Sequence, residues 1–83
     1  MNLIKAIEAA SAYASAESGV QMVSARSMDL ANRWFRVEGV RKAFRRIYVV
    51  DMQNPNGFVV EVVGGSMMDE GDLINYAIRN GAN

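Results

Sequence analysis

The sequence predicts an α+β fold: a small three-stranded antiparallel or mixed sheet covered by helices, in the order α-β-α-β-β-α. Three observations carry this expectation. Residues 2–17 form an alanine-rich amphipathic run, residues 47–53 and 58–63 are β-rich runs joined by Asn54-Pro55-Asn56-Gly57, and a helical apolar spacing returns before Gly81. Residues 1–83 read as one α+β domain, since a chain of this length buries roughly 60–65% of the surface it exposes unfolded.

In the first run, Leu3, Ile7, Ala10 and Ala14 recur at spacings of four, three and four, so one stripe faces a core. Six of the residues from Ala6 to Ala16 are alanine, which allows close packing on a sheet, and Gly19 ends the helix where a left-handed residue is favoured. Residues 19–25 read as a short strand with Val20 and Met22 on one face. Ser27 then has the character of an N-cap, with Asp29 in a first turn and Leu30, Ala31, Trp34 and Phe35 as an apolar helical face. The apolar arc of 30–37 is out of phase with that of Val40, Ala43, Phe44 and Ile47, so a break near Gly39 is expected, followed by a helical turn over 40–45.

A three-residue hairpin loop would pair 53–59, 52–60, 51–61 and 50–62. Tyr48, Val50, Met52, Phe58, Val60 and Val62 then share one face, and Asp51 stands opposite Glu61. Pro55 presets φ for the turn, Asn56 suits its second position, and Gly57 can take positive φ. A last helix over 70–80 would turn Leu73, Tyr76, Ala77 and Ile74 inward. Either Ser66 with Asp69 or Asp69 with Asp72 could cap it; Gly71 in the first turn favours the later start.

Seven of the nine Lys/Arg residues fall between Arg26 and Arg46, among Trp34, Phe35 and Phe44. That stretch nets +5, residues 1–25 net −1 and residues 51–83 net −4, so the overall charge of zero conceals a dipole. Trp34, Phe35 and Phe44 at helical spacing read as core. Arg41, Lys42, Arg45 and Arg46 would gather on one exposed side of the 40–45 turn and, with Arg36, form the candidate partner-binding set. Their repulsion needs an offset: phosphates, a partner's acid, or the acidic end of this or a second copy of the chain.

The absence of Cys and His excludes disulfides, thiolate or imidazole zinc sites, cysteine nucleophiles and Ser-His-Asp triads. No catalytic, cofactor-binding or metal-ligating residue is assigned, and the chain is not expected to be an enzyme. Asp51 with Glu61 is the nearest approach to a paired-carboxylate or Mg²⁺ site, set against two solvated acids or acids meeting an arginine such as Arg26 or Arg46. Asp69-Glu70-Gly71-Asp72 lacks the alternate acids and distant Glu of a calcium loop. Gly64-Gly65-Ser66 lacks a phosphate-binding lysine. Met67 and Met68 read as core. The small-residue run at 12–16 follows Lys5 and Glu8, which would break a leader's apolar region, and no run approaches the ~20 apolar residues of a membrane span. The expected location is cytoplasmic.

The run Val23-Ser24-Ala25-Arg26-Ser27-Met28-Asp29-Leu30-Ala31, read as strand, Ser cap and helix and followed by a short hairpin, resembles the layout of small phage and mobile-element proteins, including some anti-CRISPR proteins. The resemblance covers residues 19–63. It implies a non-catalytic protein that blocks a host machine by binding a surface, often one that handles nucleic acid. Such proteins share no site motif, so no residue role is carried over, and the strong acidity of their nucleic-acid mimics is absent here. Two partners stay open for the basic set: a protein or protein–nucleic-acid complex, or nucleic acid directly. Homodimerisation is a further option, because so small a core often supplies only ~3–5 kcal/mol.

Overall fold

The computed structural model describes residues 2–54 and 57–82. It is α+β, with helix α1 (Asn2–Ala14), strands β1 (Gln21–Ser27), β2 (Trp34–Arg41), β3 (Phe44–Asp51) and β4 (Phe58–Glu61), a 3-10 turn at Gly65–Met67, and helix α2 (Glu70–Arg79). The four strands form one antiparallel sheet in chain order, β1-β2-β3-β4. The expected three-stranded sheet and α-β-α-β-β-α order are therefore corrected to four strands and α-β-β-β-β-α.

The sheet is the middle of three layers. On one face, Ala6, Ala10 and Ala14 of α1 pack against Phe35, Val37, Tyr48 and Val50. On the other, Leu73 and Ala77 of α2 pack with Trp34, Ile47, Val49 and Val62. Alanines at i, i+4 and i+8 bring the α1 backbone close to the sheet, as its composition suggests. The stripe is rotated from the predicted one, leaving Leu3 exposed.

The predicted second helix is the principal correction. Residues from Trp34 onward form β2, with Trp34 and Phe35 buried on opposite faces of the sheet. Because helices cover both faces, successive residues are buried and the period-two alternation of a half-buried strand is erased. Ser27 caps no helix; its hydroxyl donates to the Asp29 carbonyl at 2.7 Å. The Asp29 carboxylate instead accepts from the backbone N–H groups of Arg33 (3.1 Å) and Trp34 (2.8 Å), closing the β1–β2 connection. Gly39 marks no kink: a Cβ there would stand 3.0 Å from Val20 and 3.3 Å from the Tyr48 ring.

The expected helical turn over 40–45 is the β2–β3 hairpin, closed by the Arg41–Phe44 pair with Lys42 at φ 57°. The next hairpin exists with a different register. Tyr48, Val49, Val50 and Asp51 pair with Glu61, Val60, Val59 and Phe58, an offset of three from the predicted pairs. An odd offset exchanges faces, so Val59 joins Tyr48 and Val50, while Phe58 and Val60 lie on the α2 side. Gly57 has the expected positive φ, 72°; Pro55 and Asn56 lie outside the described residues. Asp69 caps α2 by accepting from Asp72 N–H at 2.8 Å, the later of the two anticipated starts. Among the inward positions, Leu73 and Ala77 are buried and Ile74 and Tyr76 partly so. Met68 packs against the core, whereas Met67 is exposed.

Candidate partner-binding surface

The β2–β3 hairpin positions the basic residues. Strand alternation sends Arg41, Phe44 and Arg46 toward the α1 side and Arg36, Glu38 and Arg45 toward the α2 side, with Lys42 at the turn. The sequence expectation of one basic side for Arg41, Lys42, Arg45 and Arg46 is thereby corrected, because a strand divides what a helical turn would gather. Arg36, near the strand's middle, is largely covered.

Four of these five cations already meet carboxylates. Arg46 holds both oxygens of Glu17, just beyond α1, and lies 3.7 Å from Glu61. Arg41 is 3.5 Å from Glu17 and donates to the Ser18 carbonyl at 2.9 Å. Glu38, buried within the basic segment itself, accepts from Arg36 at 3.3 Å and Arg45 at 2.7 Å. The offset at the hairpin thus comes chiefly from Glu17 and Glu38, while the acidic end of the chain supplies Asp51 to Arg33 and Glu70 to Arg26, with a longer contact from Glu61 to Arg46. A legible signal existed: Arg36 and Glu38, two apart, share a face in a strand and not in a helix.

These contacts set the acid chemistry of the hairpin. The hydrogen bond from Arg46, opposed by partial desolvation and reinforced by the charges of Arg46 and Arg41, holds the Glu17 carboxyl below its ordinary range. Burial penalises the charged form of Glu38, but hydrogen bonds and charge from Arg45 and Arg36 outweigh it, so its carboxyl is also lowered.

What remains outward at the tip is distinct in kind. Lys42 is exposed and, among the described residues, makes no ion pair. The Arg45 side chain keeps 65% exposure despite its bond to Glu38. Phe44, expected in the core, is 70% exposed, and Val63 is 89% exposed. Phe44 and Val63 line a groove of about 390 Å³ whose other walls include Arg45, Ile47 and the backbone of 64–66. Sequence reasoning turns Phe44 inward because it falls at helical spacing from Val40 and Ala43, a spacing that a strand does not keep.

Asp51 and Glu61 are not brought together. Asp51 pairs across from Trp34 and Phe58 and is buried; its carboxylate accepts from Arg33 at 2.9 and 3.1 Å and from Gln53 N–H at 3.0 Å. The Arg33 guanidinium in turn lies 4.6 Å over the Trp34 ring. Glu61 pairs with Tyr48 on the other face and approaches Arg46, one of its two anticipated arginines. Gly65 seats the 3-10 turn on the sheet: a Cβ there would be 3.0 Å from Ile47. Among the described residues no cluster of three or more acidic side chains could hold a metal ion, and no helix is long and apolar enough to cross a membrane.

Comparison with protein-family models, curated proteins and solved structures finds no match for this chain.

Proposed function

We propose that the chain is a small non-catalytic binding protein, working in the cytoplasm, that engages or inhibits a macromolecular partner through the tip of the β2–β3 hairpin. Lys42 and Arg45 meet the partner together with Phe44, while Arg36, Arg41 and Arg46 hold the tip in shape through Glu38 and Glu17. The observation that carries this reading is the exposure of Phe44, 70%, between two outward cations at a tight turn. An aromatic anchor flanked by arginine has the composition of a protein-interface hot spot. The run from Val23 to Ala31 on which the resemblance to small phage and anti-CRISPR proteins is drawn forms no helix, so this reading rests on the hairpin tip alone.

A protein partner is favoured over nucleic acid because four of the five cations that phosphates would need are already held by carboxylates. The tagged protein should capture a specific protein from its host's lysate, and both Lys42→Asp and Phe44→Ala should abolish that capture. Aspartate is chosen at position 42 because it tolerates positive φ. Generic DNA and RNA should show no binding at low salt. Binding there, falling linearly on a log–log salt plot and weakened by Arg45→Ala, would replace this reading with direct nucleic-acid binding.

A further inference from the structure

We propose that the groove beside the free end of β3 accepts an extended, acidic stretch of a partner polypeptide as an added strand. This inference rests on the tip being the binding surface and specifies what binds there. Strand β4 pairs with β3 only from Tyr48 to Asp51, and the last rung is Val62 N–H to the Ile47 carbonyl at 2.8 Å. Strand β3 begins three residues earlier, at Phe44. Along Phe44, Arg45 and Arg46 the described residues supply a neighbouring strand on the β2 side alone.

The ladder fixes which backbone groups are free. Arg41–Phe44 closes a two-residue turn, so Phe44 directs its N–H and C=O toward β2, and alternation directs those of Arg45 the other way, as the Ile47 carbonyl confirms. The Arg45 N–H and C=O therefore point into the groove. The chain cannot fill it by lengthening β4. After Val62 it turns at Gly64, φ 75°, and the 3-10 turn packs Gly65 against Ile47 and Val62.

The walls select the occupant. Phe44 and Val63 offer apolar surface, and the charged lining is Arg45 and Arg46 against the single acid Glu61, which Arg46 approaches at 3.7 Å, so the groove is net positive. A second copy pairing antiparallel through the same segment would set Arg45 opposite its own counterpart, a like-charge pair that sheets disfavour. The other free edge, β1, is interrupted by a bulge between Met22 and Ser24 and carries Gln21, Ser24 and Arg26, features that discourage strand addition. A strand alternating acidic and apolar residues satisfies the free rung, the apolar walls and the cations together.

Three short labelled peptides test this by fluorescence anisotropy at low salt, with backbone amide NMR locating the contact: one alternating valine and glutamate, one alternating valine and lysine, and the glutamate peptide with prolines replacing alternate valines. The glutamate peptide is expected to bind, shifting the amide signals of Arg45 and Val63 and slowing exchange of the Arg45 amide. The lysine and proline peptides, and the glutamate peptide on Phe44→Ala, should bind at least about tenfold more weakly. Equal binding of the proline peptide, no binding of the glutamate peptide, or shifts centred on Gln21–Ser27 would each overturn the inference. If capture of a cellular protein still depends on Lys42 and Phe44 after such a result, the binding surface stands and only the added strand is rejected. If capture is also indifferent to them, both fall.

Discussion

Asp51 shows how one carboxylate can organise a region. Its two oxygens take both arms of Arg33, whose guanidinium covers the only tryptophan, and one of them also accepts Gln53 N–H where β3 ends. Removing this buried acid takes away both of its bonds to Arg33 and the acceptor of Gln53 N–H, so Asp51→Ala should cost about 2–4 kcal/mol in urea unfolding followed by Trp34 fluorescence; an unchanged midpoint would show that the pair is not structural. Glu17 and Glu38 give a second prediction. Both carboxyls are lowered in the fold, so each contributes stability that is complete above the ordinary glutamate value of 4.5 and is lost as pH falls through the lower folded value. Stability should decline below that pH, and Glu38→Gln should flatten the decline while lowering stability at neutral pH. A steeper acid slope in Glu38→Gln would contradict the assignment. The Asp51–Arg33 partnership is not legible in the sequence, since a turn motif alone cannot fix the register and places Asp51 opposite Glu61, whereas Arg36 and Glu38, two apart, share a face once the segment is taken as a strand.

Elements were legible where one face is wet. Helix α2 follows from Asp69, the Leu73–Ala77 spacing and Gly81, and α1 from its alanines, because each buries a single stripe. Strand β2 was read as helix because Trp34 and Phe35 enter two different cores, and the turn at Lys42-Ala43 lacks the Asn or Gly that marks a tight hairpin. The β3–β4 hairpin was recognisable from Asn54 to Gly57. Its register was not, because the valines on both strands can face either core, so a slip of three costs no burial pattern. A direct check on the element uses the absence of native cysteine. In Val40→Cys/Arg45→Cys the two thiols sit on a directly opposed cross-strand pair and should oxidise to an intramolecular disulfide. A 40–45 helical turn would hold them on different sides and leave them reduced.

The whole molecule carries a charge dipole in sequence that folding largely quenches. Glu17 from the end of α1, Glu38 from β2 and Glu61 from β4 converge on the arginines of the hairpin. Both apolar faces of the sheet are covered, one by α1 and one by α2, so a second copy is not required to complete either core. Exposed apolar residues occur elsewhere too, Leu30 and Met67 among them, but at the hairpin tip Phe44 and Val63 stand with Lys42 and the outer part of Arg45 beside an open groove. These residues lie outside both cores, a separation of binding from stability. Its sharpest test pairs thermal unfolding with partner capture for the double variant Lys42→Asp/Phe44→Ala. The expected result is a melting temperature within a few degrees of the parent, about what surface substitutions produce, with capture abolished. Undiminished capture by a folded double variant would contradict the account.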